Sequence, residues 1–172
     1  MNDLWMKKQW VCRKADKTPI NPYTGNGAKS NDPSTWSDGE TADMADKRFG
    51  TAGIGVMFAD GLAGVDIDSH KWDDGNPIAD EVLELFKGTY IEKSPSGKGW
   101  HILFYVDYGR LNGAGIIDDD LNLVGYKKKN NELDVESYLK GRYFTVTYSV
   151  EHPWFTDWVI RDMTDQYIVF LN

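Results

Sequence analysis

The chain has 172 residues, of which 41% are hydrophobic, and a formal net charge of −8. This length is typical of one domain, or of one compact domain built from two lobes. The acidic balance disfavours a generic nucleic-acid-binding protein, which would normally be basic. The single cysteine, Cys12, excludes an internal disulfide bond. No stretch approaches the roughly 18–20 consecutive apolar residues of a membrane span, so we expect a cytoplasmic protein without a membrane partner.

Positive charge is nevertheless concentrated in two parts of the chain. Residues 1–30 carry six basic side chains against two acidic ones, and Lys127, Lys128 and Lys129 form a second basic run. Divalent cations can supply positive charge locally in an acidic enzyme. The composition therefore stays compatible with an enzyme that acts on nucleic acid.

The first quarter of the chain predicts loops followed by one helix. Residues 18–39 are rich in Pro, Gly, Asn and Ser, which indicates turns. Ser37 is the predicted N-cap of a helix near residues 38–48, because Glu40 follows it three residues later as a capping-box partner.

A β-hairpin and a second helix are predicted next. The apolar runs Ile54–Phe58 and Leu62–Ile67 flank Asp60-Gly61, and an Asp-Gly pair between apolar runs is a good hairpin signal. In Pro77–Lys87 the apolar residues recur at helical spacing. Proline suits the first turn of that helix, and Gly88 suits its C-terminal end.

The later elements are predicted to be mostly strands. Thr89–Glu92 and Trp100–Val106 have strand character, and Leu133–Tyr138 with Tyr143–Ser149 predicts another hairpin. Residues 157–170 fit a helix or a strand equally well. Strand pairs that alternate with helices favour an α/β chain of the α+β type, with an antiparallel or mixed sheet covered by helices.

Two aspartates in one predicted strand form the first candidate site. Alternate strand residues face the same way, so Asp66 and Asp68 project together while Val65 and Ile67 enter the core. Two carboxylates about 7 Å apart on a strand face suit Mg²⁺, which prefers a few carboxylates together with waters and substrate phosphates. An isolated D-x-D pattern is also common as two solvated side chains.

A small-residue loop and a histidine form the second candidate site. The segment Ser94-Pro95-Ser96-Gly97-Lys98-Gly99 lies between two predicted strands and leads to His101. Its glycines let backbone N–H groups approach a phosphate, its serines donate further hydrogen bonds, and Lys98 adds a charge. A single histidine in a strand usually has a structural role. Because His101 directly follows this loop, we expect a phosphate-binding role as readily as a structural one.

A third polar segment follows near the end of the chain. Asp134 and Glu136 share a face of the predicted strand, and Glu136 is the expected last metal ligand, with Asp134 as its rival. Arg142 stands at the head of the next strand. There it suits either a bidentate contact with phosphate or an ion pair with an acidic neighbour on the surface.

These motifs follow one another in a characteristic order. A D-x-D strand precedes S-P-S-G-x-G-x-H, which precedes an acidic strand leading to G-R-Y-F-x-x-T. This order resembles the archaeo-eukaryotic primase superfamily, and within it the primase-polymerase domains of phages and other mobile elements. Upstream, Lys17–Pro22, Asp32–Trp36 and Gly53–Phe58 resemble the N-terminal signature of that subgroup, so the resemblance covers residues 10–149.

The resemblance implies a bilobal α/β catalytic core, one half of which is an RRM-like sheet covered by helices. We expect a single domain over residues 1–172. Its parts would be an N-terminal lobe segment over about 1–52, the catalytic RRM-like core over 53–150 and a C-terminal segment over 151–172.

The resemblance also assigns residues to the expected site. Asp66, Asp68 and Glu136 would be the catalytic carboxylates and the ligands of Mg²⁺ or Mn²⁺. The expected nucleotide-binding residues are Ser94, Ser96, Gly97, Lys98, His101 and Arg142. Ser96 and His101 belong to the motif that holds the triphosphate of the incoming nucleotide.

The activity implied by the resemblance is template-directed nucleotidyl transfer. The enzyme would be a DNA primase and DNA polymerase that joins nucleoside triphosphates to a 3′-hydroxyl during phage or mobile-element DNA replication. The expected partners are nucleoside triphosphates, a single-stranded DNA template with its primer, and a replicative helicase domain or protein.

Two other functions stay open from the sequence. A two-metal nuclease also uses acidic ligands on adjacent strands, but it has no need of a triphosphate-binding loop, so residues 94–101 discriminate between the two enzymes. A rolling-circle initiator nuclease needs a histidine pair on one strand, which His70, His101 and His152 do not offer. A non-catalytic nucleotide- or partner-binding domain would not need all three acidic positions together with the loop.

Overall fold

The computed structural model describes residues 2–126, 129–151 and 153–172. Over these ranges the chain forms five α-helices and nine strands in two antiparallel sheets, which confirms the expected mixed α/β class. Lys127, Lys128 and His152, on which predictions were based, lie outside the described residues. Among the helices of the described part, none has the length and apolar character needed to cross a membrane.

The helices and strands are short. In chain order they are α1 (Asn2–Trp5), β1 (Trp10–Arg13), β2 (Pro19–Ile20), a 3-10 turn (Pro33–Thr35), α2 (Gly39–Phe49), β3 (Ile54–Met57), β4 (Leu62–Ile67), α3 (Ala79–Leu85), β5 (Tyr90–Lys93), β6 (Trp100–Tyr105), α4 (Tyr108–Gly113), β7 (Lys129–Asn130), β8 (Val135–Tyr138), β9 (Tyr143–Thr145) and α5 (Thr164–Leu171). The first sheet has the strand order β2-β1-β3-β9, and the second sheet has the order β5-β6-β4-β8-β7.

The two predicted hairpins are wrong, because each pair of strands is divided between the sheets. β3 pairs with β1 and β9, whereas β4 pairs with β6 and β8. The chain still turns sharply at Asp60-Gly61, where both residues have a positive φ. It crosses there from the first sheet to the second, because both edges of β3 and of β4 are occupied by strands from distant parts of the chain. In the same way β8 belongs to the second sheet and β9 to the first.

The predicted segmentation into residues 1–52, 53–150 and 151–172 stays a prediction. Strands β3 and β9 come from the middle range, yet they lie in the same sheet as β1 and β2 from the N-terminal range. All strands of the second sheet, β4 to β8, therefore lie between β3 and β9 of the first sheet along the chain.

The predicted helices are present, with corrections at their ends. The N-cap of α2 is Asp38 and not Ser37, because the Asp38 carboxylate accepts the N–H of Thr41 at 2.8 Å. Ser37 is buried, and its backbone is already paired with Trp10 in an antiparallel bridge. The helix predicted over Pro77–Lys87 is the shorter α3, and the ambiguous tail forms α5, whose Tyr167 is fully buried.

The second sheet is buried on both faces. Alternate β4 residues Ala63, Val65 and Ile67 pack in an apolar cluster with α3 and α5, as expected for the inward-facing positions. On the opposite face, Leu62 and Leu103 pack against side chains of the first sheet. The first sheet thus covers the face of the second sheet from which Asp66 projects.

The two sheets pack tightly against each other at Gly64. A Cβ atom on Gly64 would lie 2.6 Å from ring atoms of both Phe58 and Phe144. We expect Gly64→Ala to lower the free energy of unfolding by about 1–3 kcal/mol, because a methyl group forced into a packed core displaces its neighbours. Urea unfolding measures the change.

The matched control for this prediction is Gly113→Ala, at the end of α4. A Cβ atom there has no neighbour within 4 Å among the described residues. This variant should be neutral or slightly stabilising, by less than about 1 kcal/mol. Equal stabilities of Gly64→Ala and the wild type would contradict the close packing of the sheets.

Candidate functional site

A row of polar residues crosses the second sheet. The register places His101 of β6 opposite Asp66 of β4, and Asp66 opposite Glu136 of β8. Glu92 of β5 lies opposite His101, and Lys129 of β7 lies opposite Glu136. Directly opposed residues project from the same face of a sheet. All five side chains therefore start on the face that is covered by the first sheet.

Asp66 lies at the centre of this row and is mostly buried. Its Oδ1 atom has no hydrogen-bond partner among the described residues and lies 3.8 Å from Nε2 of His101. The pKa of Asp66 is raised to about 6, chiefly by burial; the charges of Asp68 and Glu136 also raise it, and His101 and Lys17 oppose the increase. A buried carboxylate oxygen without a partner is unfavourable unless a cation reaches it. The oxygen fits a divalent cation for this reason.

Asp68 lies just beyond β4 and forms a second acidic group with residues from other segments. Nδ1 of His70 is 3.6 Å from the Asp68 carboxylate and 3.3 Å from that of Asp134. One ligand atom from each of these three residues lies within 4.8 Å of the other two, a spacing that suits one metal ion. His70 was not predicted as a ligand, although its signal was present, since Asp66, Asp68 and His70 form a D-x-D-x-H pattern.

Asp134 and Glu136 take different positions, contrary to the expected strand alternation. β8 begins only at Val135, and Asp134 precedes it with a φ of 53°, so its carboxylate faces His70. Glu136 remains in the strand and forms an ion pair with Lys129. The structure therefore brings four carboxylates to one end of β4 and β8, with Asp134 and Glu136 contributing from different directions.

The loop after β5 is bonded mainly to itself. Ser94 N donates to Gly99 O at 2.9 Å, and Gly97 N donates to Ser94 O at 2.8 Å. The hydroxyls of Ser94 and Ser96 accept the N–H groups of Gly99 and Lys98, at 3.2 and 3.3 Å. The loop N–H groups expected to meet a phosphate are thus engaged within the loop, and the exposed Ser96 and Lys98 side chains are the groups that a ligand would meet first.

Gly99 fixes this loop beside the acidic residues. A Cβ atom on Gly99 would collide with the carbonyl oxygen of Ile67 and would lie 3.4 Å from Cα of Asp68. The loop consequently packs directly on the end of β4, where Asp68 begins its group with His70.

A cavity of about 250 Å³ lies beside Asp66, between the two sheets. It is lined by Lys17, Asp66, Pro95, His101, Tyr138, Arg142, Tyr143, Phe144 and Thr145. The predicted residues Asp66, His101 and Arg142 therefore meet here, whereas Asp68, Glu136, Ser94, Ser96, Gly97 and Lys98 lie outside its lining. A larger cavity of about 740 Å³ lies on the opposite face of the sheet, near α3 and α5, and contains none of the predicted site residues.

Lys17 adds a cation to this cavity that the sequence did not assign to the site. Its backbone carbonyl accepts a hydrogen bond from the Tyr143 hydroxyl, which holds the N-terminal loop against β9. The basic N-terminal segment is thereby brought within electrostatic reach of Asp66.

His101 is held from three sides and is only 5% exposed. The ring of Phe144 stacks on it with centroids 4.5 Å apart. Nδ1 lies 3.2 Å from Oε1 of Glu92 and 3.1 Å from the carbonyl oxygen of Thr145. Sequence reasoning missed Glu92, since a glutamate near the end of a predicted strand is ordinarily exposed.

Most of the chain is similar to a known phage protein. No protein-family model matches the chain. A DNA primase-polymerase of Nitratiruptor phage NrS-1 is 32% identical over 152 residues, which cover 81% of this chain. The chain contains a primase-polymerase domain of the phage type. This primase-polymerase domain spans 19% of the length of that relative.

Substitution of Asp66 tests whether its buried charge destabilises the metal-free primase-polymerase domain. In EDTA at pH 8, Asp66→Asn should raise the free energy of unfolding by up to about 3 kcal/mol, because the native state raises the pKa of Asp66 from 3.8 to about 6. Because its pKa is raised in the native state, Asp66 stabilises the wild type most below about pH 4, and this stabilisation is lost as the pH rises through 6. The stability advantage of Asp66→Asn over the wild type should therefore be smaller at pH 5 than at pH 8.

The same variant tests the cation site. Mg²⁺ or Mn²⁺ should raise the melting temperature of the wild type, because binding to the native state alone stabilises it, and should raise that of Asp66→Asn much less. The exposed Asp73→Asn serves as control and should behave like the wild type. A metal-free Asp66→Asn protein that is less stable than the wild type at pH 8 would argue against an unpartnered buried charge.

Proposed function

We propose that this domain is a template-directed nucleotidyltransferase that joins a nucleoside triphosphate to the 3′-hydroxyl of a primer. The observation that supports this most directly is the cavity between the sheets. Its lining combines Asp66 with the cationic residues Lys17 and Arg142. Transfer of a nucleotidyl group needs carboxylates to hold metal ions and cations to neutralise the triphosphate, and the cavity offers both.

Asp66, Asp68 and Glu136 are the proposed ligands of Mg²⁺ or Mn²⁺. Asp134 and His70 lie close enough to Asp68 to complete or replace part of this set. Carboxylate oxygens suit either metal, whereas an imidazole ligand would favour Mn²⁺. When bound, the ions would polarise the attacking hydroxyl and neutralise charge on the phosphates.

The protein residues themselves bind and orient the triphosphate. His101, Arg142 and Lys17 line the cavity, and the exposed Ser96 and Lys98 stand on the loop beside it. Arg142 is suited to a bidentate contact with phosphate oxygens. We infer that positioning and electrostatics supply most of the rate acceleration, since direct attack by the primer hydroxyl needs no covalent intermediate with the protein.

The proposed nucleic-acid substrates are a single-stranded DNA template and its primer. With a net charge of −8, the domain should bind the template weakly on its own, with the affinity falling as salt is added. The phage relative supports a role in phage or mobile-element DNA replication, for which a replicative helicase domain or protein is the proposed partner.

The acidic residues alone would also suit a two-metal nuclease. The cations of the cavity favour nucleotidyl transfer, because hydrolysis of a phosphodiester has no need of a triphosphate site. Both activities can be followed on one labelled primer, which lengthens in the first case and shortens in the second.

We predict that the double variant Asp66→Ala, Asp68→Ala abolishes extension of a primer annealed to single-stranded DNA. The assay contains nucleoside triphosphates with Mg²⁺ or Mn²⁺. Circular dichroism should show a retained fold, because both carboxylates project away from the apolar cluster around α3 and α5. The control is Asp73→Ala, Asp74→Ala, which removes two exposed charges and should extend normally. Extension that survives in the Asp66, Asp68 variant would refute the metal-site assignment.

We also predict that His101→Ala raises KM for the triphosphate by about tenfold or more, because a charge-assisted hydrogen bond is lost. The effect on kcat should be smaller. Thermal melting must first identify a temperature at which the variant is fully folded, since His101 is buried. A KM equal to that of the wild type would remove His101 from the triphosphate site.

A further inference from the structure

A completely buried carboxylate lies behind His101. The side chain of Glu92 is 0% exposed. Its Oε2 atom accepts hydrogen bonds from the Tyr90 hydroxyl at 2.7 Å and from the backbone N–H groups of Thr147 and Tyr148, each at 2.9 Å. Its other oxygen, Oε1, is turned to Nδ1 of His101 at 3.2 Å.

The surroundings determine which atoms carry hydrogen. Burial and the charge of Glu92 raise the pKa of Tyr90, so its hydroxyl stays protonated and donates. Three donors on Oε2 leave no place for a proton on that atom. Nδ1 of His101 faces two acceptors, Oε1 of Glu92 and the carbonyl oxygen of Thr145, and a ring nitrogen between two acceptors must carry the hydrogen.

With its hydrogen on Nδ1, the imidazole can present only Nε2 to the cavity. Phe144 stacks on the ring, and Nε2 points toward Asp66. We propose that Glu92 is the positioning residue of this site: it binds the Nδ1–H group and fixes the orientation of His101. Nε2 is thereby directed at the bound triphosphate, to which it donates when the ring carries a hydrogen on both nitrogens. The effect of Glu92 on catalysis rests on the proposed function, whereas its effect on His101 does not.

The sharpest test is Glu92→Gln, which keeps the shape of the side chain. The three donors around Oε2 require an oxygen there, so the amide nitrogen must take the place of Oε1. That nitrogen donates, and Nδ1 of His101 must then accept. The variant should therefore fold like the wild type but hold His101 with its hydrogen on Nε2 instead of Nδ1.

Nitrogen-15 NMR of the histidine rings reads the tautomer directly, without metal or nucleotide. The signals of His101 are assigned as those missing from His101→Ala. We expect the wild type to show hydrogen on Nδ1 and Glu92→Gln to lose that signature. An unchanged signature in Glu92→Gln would overturn the proposal. Glu40→Gln removes an exposed charge on α2 and should leave the signature as it is in the wild type.

Primer-extension kinetics test the consequence for the triphosphate. Glu92→Gln should raise KM for the triphosphate roughly fivefold, with a smaller change in kcat. The amide N–H would face Nδ1 and disfavour hydrogen on both ring nitrogens, so His101 would donate to the phosphate without a charge. In the His101→Ala background the added Glu92→Gln change should have no further effect, since Glu92 acts through His101. An equal increase in both backgrounds would show that Glu92 acts through the fold, and an unchanged KM despite a changed tautomer would show that the orientation does not matter. Either result refutes the proposal.

The two measurements separate this inference from the proposed function. If the wild-type protein extends no primer under any of the conditions above, the proposed function fails. The NMR result then still decides whether Glu92 controls His101.

Discussion

The buried carboxylate of Glu92 lies where the two sheets meet, and it needs hydrogen-bond donors from the chain segments that surround it. A charge removed from water is strongly destabilising unless hydrogen bonds replace its hydration. Two of these bonds come from Thr147 and Tyr148, which follow β9 of the first sheet, while Glu92 itself stands on β5 of the second. Satisfying one carboxylate therefore draws the two sheets together at this point.

The closure around Glu92 also builds the proposed site. The segment that reaches back to the carboxylate includes Phe144, which stacks on His101, and Thr145, which lines the cavity. Tyr143, at the start of the same strand, holds the loop that carries Lys17. One strand of the first sheet thus supplies an aromatic wall, a carbonyl acceptor and an anchor for a cation. The carboxylates of Asp66 and Glu136, which are proposed metal ligands, come from the other sheet.

Local patterns in the sequence predicted the strands well but not their partners. The alternation that turned Asp66 away from Val65 and Ile67 depends only on neighbouring residues, and the structure shows it. The pairing of β3 with β1 and β9 depends on residues far apart in the chain, which a turn such as Asp60-Gly61 cannot specify. Both predicted hairpins failed for this reason. The expected motifs nevertheless gathered, because the register aligns Asp66, His101 and Glu136 across three strands.

The residues missed by sequence reasoning have their roles from tertiary contacts. Glu92 sits near the end of an ordinary strand pattern, and nothing local shows that its carboxylate is enclosed. Lys17 lies in a loop and reaches the cavity only because β9 binds that loop. His70 is different, since the D-x-D-x-H pattern is visible in the sequence. Only the tertiary position of Asp134 shows that His70 lies in a group that could hold a metal ion.

The two edges of the second sheet are closed in different ways. Along β5, Lys93 donates its N–H to the carbonyl of Ser149 and accepts a hydrogen bond from the Thr147 hydroxyl, so a passing loop occupies that edge. On the other side β7 spans only Lys129–Asn130, and Lys129 turns its charge back to Glu136. Short, charged or covered edges resist the addition of a foreign strand. A foreign strand should therefore not extend the second sheet, and this sheet is protected from the edge-to-edge association that leads to aggregation.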